Sequence, residues 1–191
     1  MNATLRPSRS RVGYAALAFY IFTIFAANWF IQNVGEQQFP GGPHVIPVGF
    51  GLYAPSGVLW VGFALVARDL VQFFLGRKYA VGAILVGAAL SFFVAPSLAL
   101  ASCVAFLLSE MADFGVYTPL MARNRIVLAV FASGLVGIVV DSVVFLALAF
   151  GSLQFIEGQI LGKFYATCIG AVVIWAMRRH YPQMATAPVL Q

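Results

Sequence analysis

The sequence predicts an all-α integral membrane protein, a bundle of six transmembrane helices folded as a single membrane domain over residues 1–191. Three observations predict it. Hydrophobic residues make up 62% of the chain, charged residues 9%, and the mean hydropathy is +0.94, against roughly 45–50% apolar and 25% charged in soluble domains. The apolar residues gather in runs of about 20, the length that crosses a bilayer at ~1.5 Å per residue. With six such runs, Arg6, Arg9, Arg11, Arg68, Arg77, Lys78, Arg123, Arg125, Arg178 and Arg179 fall on one side, whereas the opposite loops carry Glu36 and Glu157. Basic residues mark the cytoplasmic face, which places both termini there. The net charge of +5 is therefore read as membrane topology, with the lipid bilayer rather than nucleic acid as its partner.

Taken in order, the first span runs from about Gly13 to Gln32, behind three arginines. Its length and the absence of a small-residue cleavage pattern make it a retained helix rather than a signal peptide. Asn28 and Gln32 share one face near its far end. The stretch from Asn33 to Pro47 holds three prolines and three glycines and is expected to be a loop, apolar enough to fold back over the mouth of the bundle. The second span covers about 48–72, with Pro55 and Gly57 near an early kink. The third covers about 79–94 and ends before a turn at Pro96. The fourth covers about 97–117 and is expected to stop at Pro119. The fifth covers about 126–150, the sixth about 158–177, and residues 178–191 form a cytoplasmic tail.

The polar residues inside these runs are the candidates for function, because ionisable groups in a membrane are costly and by default functional. Glu110 and Asp113 are three residues apart and share a helix face, so they point together into protein or a wet cavity. Adjacent Arg68 and Asp69 point to different faces and are expected to pair with other helices. Asp141 and Lys163 lie at similar depth in the outer half and are natural partners, since a lone buried charge is far costlier than a pair. Asp69, Asp113 and Asp141 each precede an aromatic by four residues, namely Phe73, Tyr117 and Phe145, which suggests acids and rings lining one cavity. Cys103 and Cys168 read as packing residues. His44 has no ligand partner in sequence, so no metal and no cofactor is expected. No GxSxG, HExxH or P-loop is present, so an enzyme is not expected and any ATP dependence requires a partner.

These residues resemble a known family, the vitamin uptake transporters regarded as queuosine-precursor transporters. The resemblance runs from Asn28 to about Trp175. It rests on Asn28 itself, on Arg68-Asp69 followed by Gly76-Arg77, and on Ser109-Glu110-Met-Ala-Asp113. Arg125, Asp141-Ser142-Val-Val-Phe145, Phe150-Gly151 and Gly162-Lys163 complete it. Phe73 and Glu110 depart from the family pattern, standing where many members carry an acid and a glutamine. The resemblance implies a six-span protein of the inner membrane that imports 7-cyano-7-deazaguanine or its aminomethyl relative.

Such a substrate suits the chemistry of the candidates. A deazaguanine offers two adjacent N–H donors that one carboxylate accepts together, and a flat face that stacks on aromatics. Glu110 or Asp113 are the first choices for the edge, with Asp69 and Asp141 behind them. Tyr117, Phe145, Phe73 or Tyr165 serve for stacking, and Asn28, Gln72 and Lys163 for the remaining polar atoms. Two other classes stay open: a substrate-capture subunit of an ATP-driven importer, which an ATPase partner would reveal, and an intramembrane enzyme or scaffold, which would show no uptake. A homo-oligomer is compatible with any of them.

Overall fold

A computed structural model describes residues 9–180 apart from 39, 41 and 95–98. Six helices follow one another: α1 (Arg9–Asn33), α2 (Val58–Leu75), α3 (Arg77–Val94), α4 (Ala99–Ala122), α5 (Ile126–Phe150) and α6 (Ile156–His180). Between α1 and α2 lie three short strands, β1 (Glu36–Gln37), β2 (His44–Gly49) and β3 (Leu52–Pro55), in one antiparallel sheet of order β1-β2-β3. Among the described residues, α1, α2, α4, α5 and α6 are long and apolar enough to cross a membrane; α3, opening on Arg77-Lys78, is not among these five. Their outward faces carry the side chains lipid requires, such as Leu135, Val136, Val139 and Val143 on α5.

Successive helices alternate in direction, as their contacts show. Gly13 of α1 lies against Leu75 of α2, and Ala27 against Gly57. Along α3, Ala80 packs with Phe114, and Gly87 with Phe106, so α3 runs antiparallel to α4. Two described chain reversals at the same end of the bundle have identifiable causes. Gly76, at φ 95°, ends α2 while its N–H caps the Gln72 carbonyl at 2.9 Å, a conformation open to glycine at no steric cost. Asn124, at φ 59°, closes α4 in the left-handed conformation that asparagine tolerates. Arg11, Arg77, Lys78, Arg123, Arg125 and Arg179 gather at this end, and Glu36 and Glu157 sit at the other.

α2 and α6 run parallel and unusually close. Val58, Gly62 and Val66 meet Gly162, Ala166 and Gly170, both sets at four-residue spacing. A Cβ on Gly62 would lie 2.6 Å from Ala166, and one on Gly170 would lie 2.4 Å from Val66. Small residues at this spacing let helix backbones approach where lipid supplies no hydrophobic drive between them.

Several boundaries differ from the sequence expectation. The loop expected through Pro47, and the first ten residues expected of the second span, form β2 and β3; Pro55 ends β3 and Gly57 caps α2, so neither kinks a helix. Phe50 and Gly51, at φ 53° and 74°, make the two-residue turn with both φ positive that suits a hairpin's twist. Pro47 occupies β2 beside a bulge, paired with Tyr53, a place where a strand tolerates a missing donor. α4 continues through Pro119 to Ala122. Pro119 has no N–H for the Gly115 carbonyl, a loss that membrane helices tolerate, and the turn beside it is braced by Thr118 Oγ1, which donates to the Phe114 carbonyl at 2.8 Å. α6 extends to His180, past the expected tail boundary; the rest of the tail and the Pro96 turn lie outside the described residues.

The sheet closes the end of the bundle opposite the arginines. Val45 is buried with Leu146 and Phe155, and Ser56 Oγ donates to the Phe30 carbonyl at 2.6 Å.

Candidate functional site

Two polar clusters occupy the interior, one above the other. The deeper one is built round Arg68, which the sequence grouped with the cytoplasmic arginines but which is fully buried. Its Nε donates to Glu110 Oε2 at 3.1 Å, and Nη2 donates to Asp113 Oδ1. Its Nη1 lies 2.7 Å from Asp69 Oδ1, an ion contact without hydrogen-bond geometry. The neighbours in sequence thus do meet, because the long guanidinium arm curls back as it reaches for α4. The Tyr117 and Phe114 rings flank the guanidinium at 5.6 and 5.9 Å. Arg68, Asp69, Glu110 and Asp113 are all 0–1% exposed. The i, i+3 spacing of Glu110 and Asp113 is what lets one guanidinium fork serve both.

Further toward the arginine-rich end, Gln72 Nε2 donates to Thr118 Oγ1 at 3.1 Å and the Tyr117 hydroxyl donates to the Asp69 carbonyl at 3.1 Å. Ser133 of α5 donates to Asp69 Oδ2 at 3.5 Å. These bonds fix the cluster from three helices.

The second cluster joins α5 and α6. Lys163 Nζ donates to Asp141 Oδ2 and Gln159 Oε1, both at 2.5 Å, and to Ser142 Oγ at 3.0 Å. Ser109 Oγ reaches Asp141 Oδ1 from α4 at 3.4 Å, so the two clusters meet at the Ser109-Glu110 step. Every donor of the Lys163 ammonium has an acceptor, which is the condition for a buried amine to be tolerated.

Above this pair lies a cavity with room for several waters, about 70 Å³ for their centres, where α1, α2, α4, α5 and α6 converge beneath the sheet. Asn28, Asp141, Phe145 and Lys163 line it. Asp69, Gln72, Glu110, Asp113 and Tyr117 do not; they belong to the Arg68 cluster below. The aromatic-after-acid pattern therefore divides, with Phe145 at the cavity and Tyr117 deep in the core. Sequence reading passed over Gln159, Thr23 and Ser102 in the cavity wall. Gln159 had a usable signal, being four residues before Lys163 on one face; a single Ser or Thr in an apolar run has none. Among the described residues no group of His, Cys, Asp and Glu is placed to hold a metal.

No curated protein and no solved structure matches the chain. Residues 92–178 match a family model, described as putative vitamin uptake transporter. The matched stretch includes Glu110, Asp113, Asp141 and Lys163, with Asn28 and Arg68-Asp69 outside it. The family that the motifs resemble is thus the one whose model matches residues 92–178, a little under half of the chain.

Proposed function

We propose that this protein imports a queuosine precursor such as 7-cyano-7-deazaguanine, or a related deazapurine, across an inner membrane, with six spans and both termini cytoplasmic. The observation that carries the proposal is the cavity beneath the sheet, where Lys163, Asp141 and Gln159 face Asn28 and Phe145 in a chain whose second half matches a transporter family. The alternation of helix direction supports α3 as the sixth span, since it lies antiparallel against α4 from Ala80–Phe114 to Gly87–Phe106. The basic residues at one end of the bundle support that end as cytoplasmic.

Asp141 is the carboxylate on the cavity wall, so it, rather than Glu110 or Asp113 in the cluster below, is placed to meet a deazaguanine's paired N–H donors. Its oxygens keep lone pairs beyond those taken by Lys163 and Ser109. Lys163 suits the ring carbonyl, Asn28 and Gln159 the other polar atoms, and Phe145 the flat face. Asp69, Gln72, Glu110, Asp113 and Tyr117 act in this reading by holding α2 and α4 in place below the substrate.

Binding of labelled 7-cyano-7-deazaguanine to the purified protein tests the reading. Asp141→Asn turns one acceptor into a donor, and an unmet buried group costs about 1–3 kcal/mol, so affinity is expected to fall roughly ten- to hundredfold. Guanine, which keeps the same edge, is expected to compete, and adenine is not. Equal competition by adenine would refute the assignment of the edge.

A further inference from the structure

Arg68 carries one positive charge and touches three carboxyl groups, those of Asp69, Glu110 and Asp113, all without solvent exposure. Fully ionised, the group would hold a net charge of −2, with no other cation in contact among the described residues. The carboxyl groups of Asp69 and Asp113 are both drawn to the one guanidinium, and like charges gathered so closely without solvent favour keeping a proton. The groups facing the cluster from its neighbours do not supply the missing charge. From α1 comes the Tyr20 hydroxyl, fully buried beside Glu110 and without a hydrogen-bond partner. From α5 comes Asp141, itself an acid near Glu110, whose charge Lys163 of α6 already balances. Arg77 of α3 stands behind the Phe114 ring, 5.4 Å from its centre. Glu110 Oε1 and Asp113 Oδ2 are buried and unpartnered as well, acceptor positions with the capacity to take protons.

We propose that the Arg68 cluster is a proton-binding site that couples substrate movement to a proton gradient. The inference rests on the transport reading above. In the closed arrangement described here the cluster is neutral when two of its three carboxyls hold protons and the third pairs with Arg68. When the cytoplasmic end of the bundle opens, water replaces the missing counter-charges and the protons leave to the cytoplasm as hydronium. Coupling requires the emptied carrier to turn outward without those protons, water in the vacated cavity standing in for the missing counter-charge, and to reload from the outer side. Ser109, bonded to Asp141 and next to Glu110 in sequence, is where the cavity and the cluster communicate, so substrate at Asp141 and protons at Glu110 influence each other.

Two measurements test this on the full-length protein. In proteoliposomes, counterflow exchange of labelled 7-cyano-7-deazaguanine, with no ion gradient, reports whether transport occurs at all. With the membrane potential clamped, a pH gradient acid on the outside is then expected to concentrate that probe, by about tenfold per pH unit for each proton carried, and a protonophore is expected to abolish the effect. Counterflow without any response to the gradient would overturn the coupling and leave the transport reading intact. Separately, infrared spectra of the purified wild-type protein are expected to show a protonated carboxyl band at neutral pH, diminished in Glu110→Gln and Asp113→Asn. This second measurement needs no substrate, and the wild-type band is read before any variant is made. If counterflow fails, the presence of the band still supports a proton-binding cluster, and its absence overturns it.

Discussion

Replacing Lys163 by methionine keeps most of the side chain's length and removes its charge, which leaves Asp141 buried with only the Ser109 hydroxyl, at 3.4 Å, and strips a donor from Gln159 and Ser142. Breaking a buried pair from one side costs about 3–5 kcal/mol, because the remaining charge stays in a medium that does not solvate it. Asp141→Asn leaves the ammonium its bonds to Gln159 and Ser142 and keeps one amide oxygen facing it, so its cost is about 1–3 kcal/mol. In the double variant neither unpaired charge remains. Its loss is expected to be smaller than the sum of the single losses by about 2 kcal/mol. The double variant should also be at least as stable as Lys163→Met alone. Reversible unfolding of the four proteins in mixed micelles closes the cycle. Losses that add within about 0.5 kcal/mol, as they do for independent sites, would refute the pairing as the energetic tie between α5 and α6.

Three further outcomes follow from the same structure. Arg68→Met leaves three carboxyls without a cation, which should destabilise the fold by about 3–5 kcal/mol at neutral pH. Mild acid should restore part of that stability by protonating them, as unfolding in micelles across a pH series would read. Gly158→Val would bring a Cβ to 2.0 Å from the Tyr53 carbonyl and so unseat β3 from α6. Cleavage by a protease added outside is expected to appear within the sheet, and an uncut sheet would count against its docking there. Reporter fusions after Gln191 and within Gly76 to Tyr79 should read cytoplasmic and those within Pro40 to His44 external; a cytoplasmic signal from the Pro40 loop would sink the six-span topology.

The helices were legible because lipid and a buried core both demand apolar residues, and runs such as Ile126–Phe150 satisfy that demand without ambiguity. The sheet was not, because Pro43, Pro47 and Pro55 signal irregular chain. The alternation in His44–Gly49 is also weak, and the Gly49-Phe50-Gly51 turn puts a phenylalanine where asparagine or glycine would have announced a hairpin. The end of α4 was misplaced because Pro119 is a strong stop in water and a tolerated residue in a membrane helix; Asn124 carries the turn that ends it. At the site, spacing alone predicted that Glu110 and Asp113 share a face and depth alone predicted Asp141 with Lys163. Which acids face the cavity was beyond sequence, because that is decided by where Arg68 reaches, and a flexible side chain's target is set by three helices at once.

The interlock of α2 with α6 has a mechanical consequence. With Gly62 seated on Ala166 and Gly170 on Val66, neither helix can slide by a fraction of a turn without driving a methyl group into backbone or branched side chain, so the two behave as a single stiff beam. That beam carries Arg68 at one level and Lys163 at another, each an arm reaching out to a different helix, α4 and α5. In the transport cycle proposed above, opening either end would lever those helices against a fixed post, with the two cations as the points where the load is transferred.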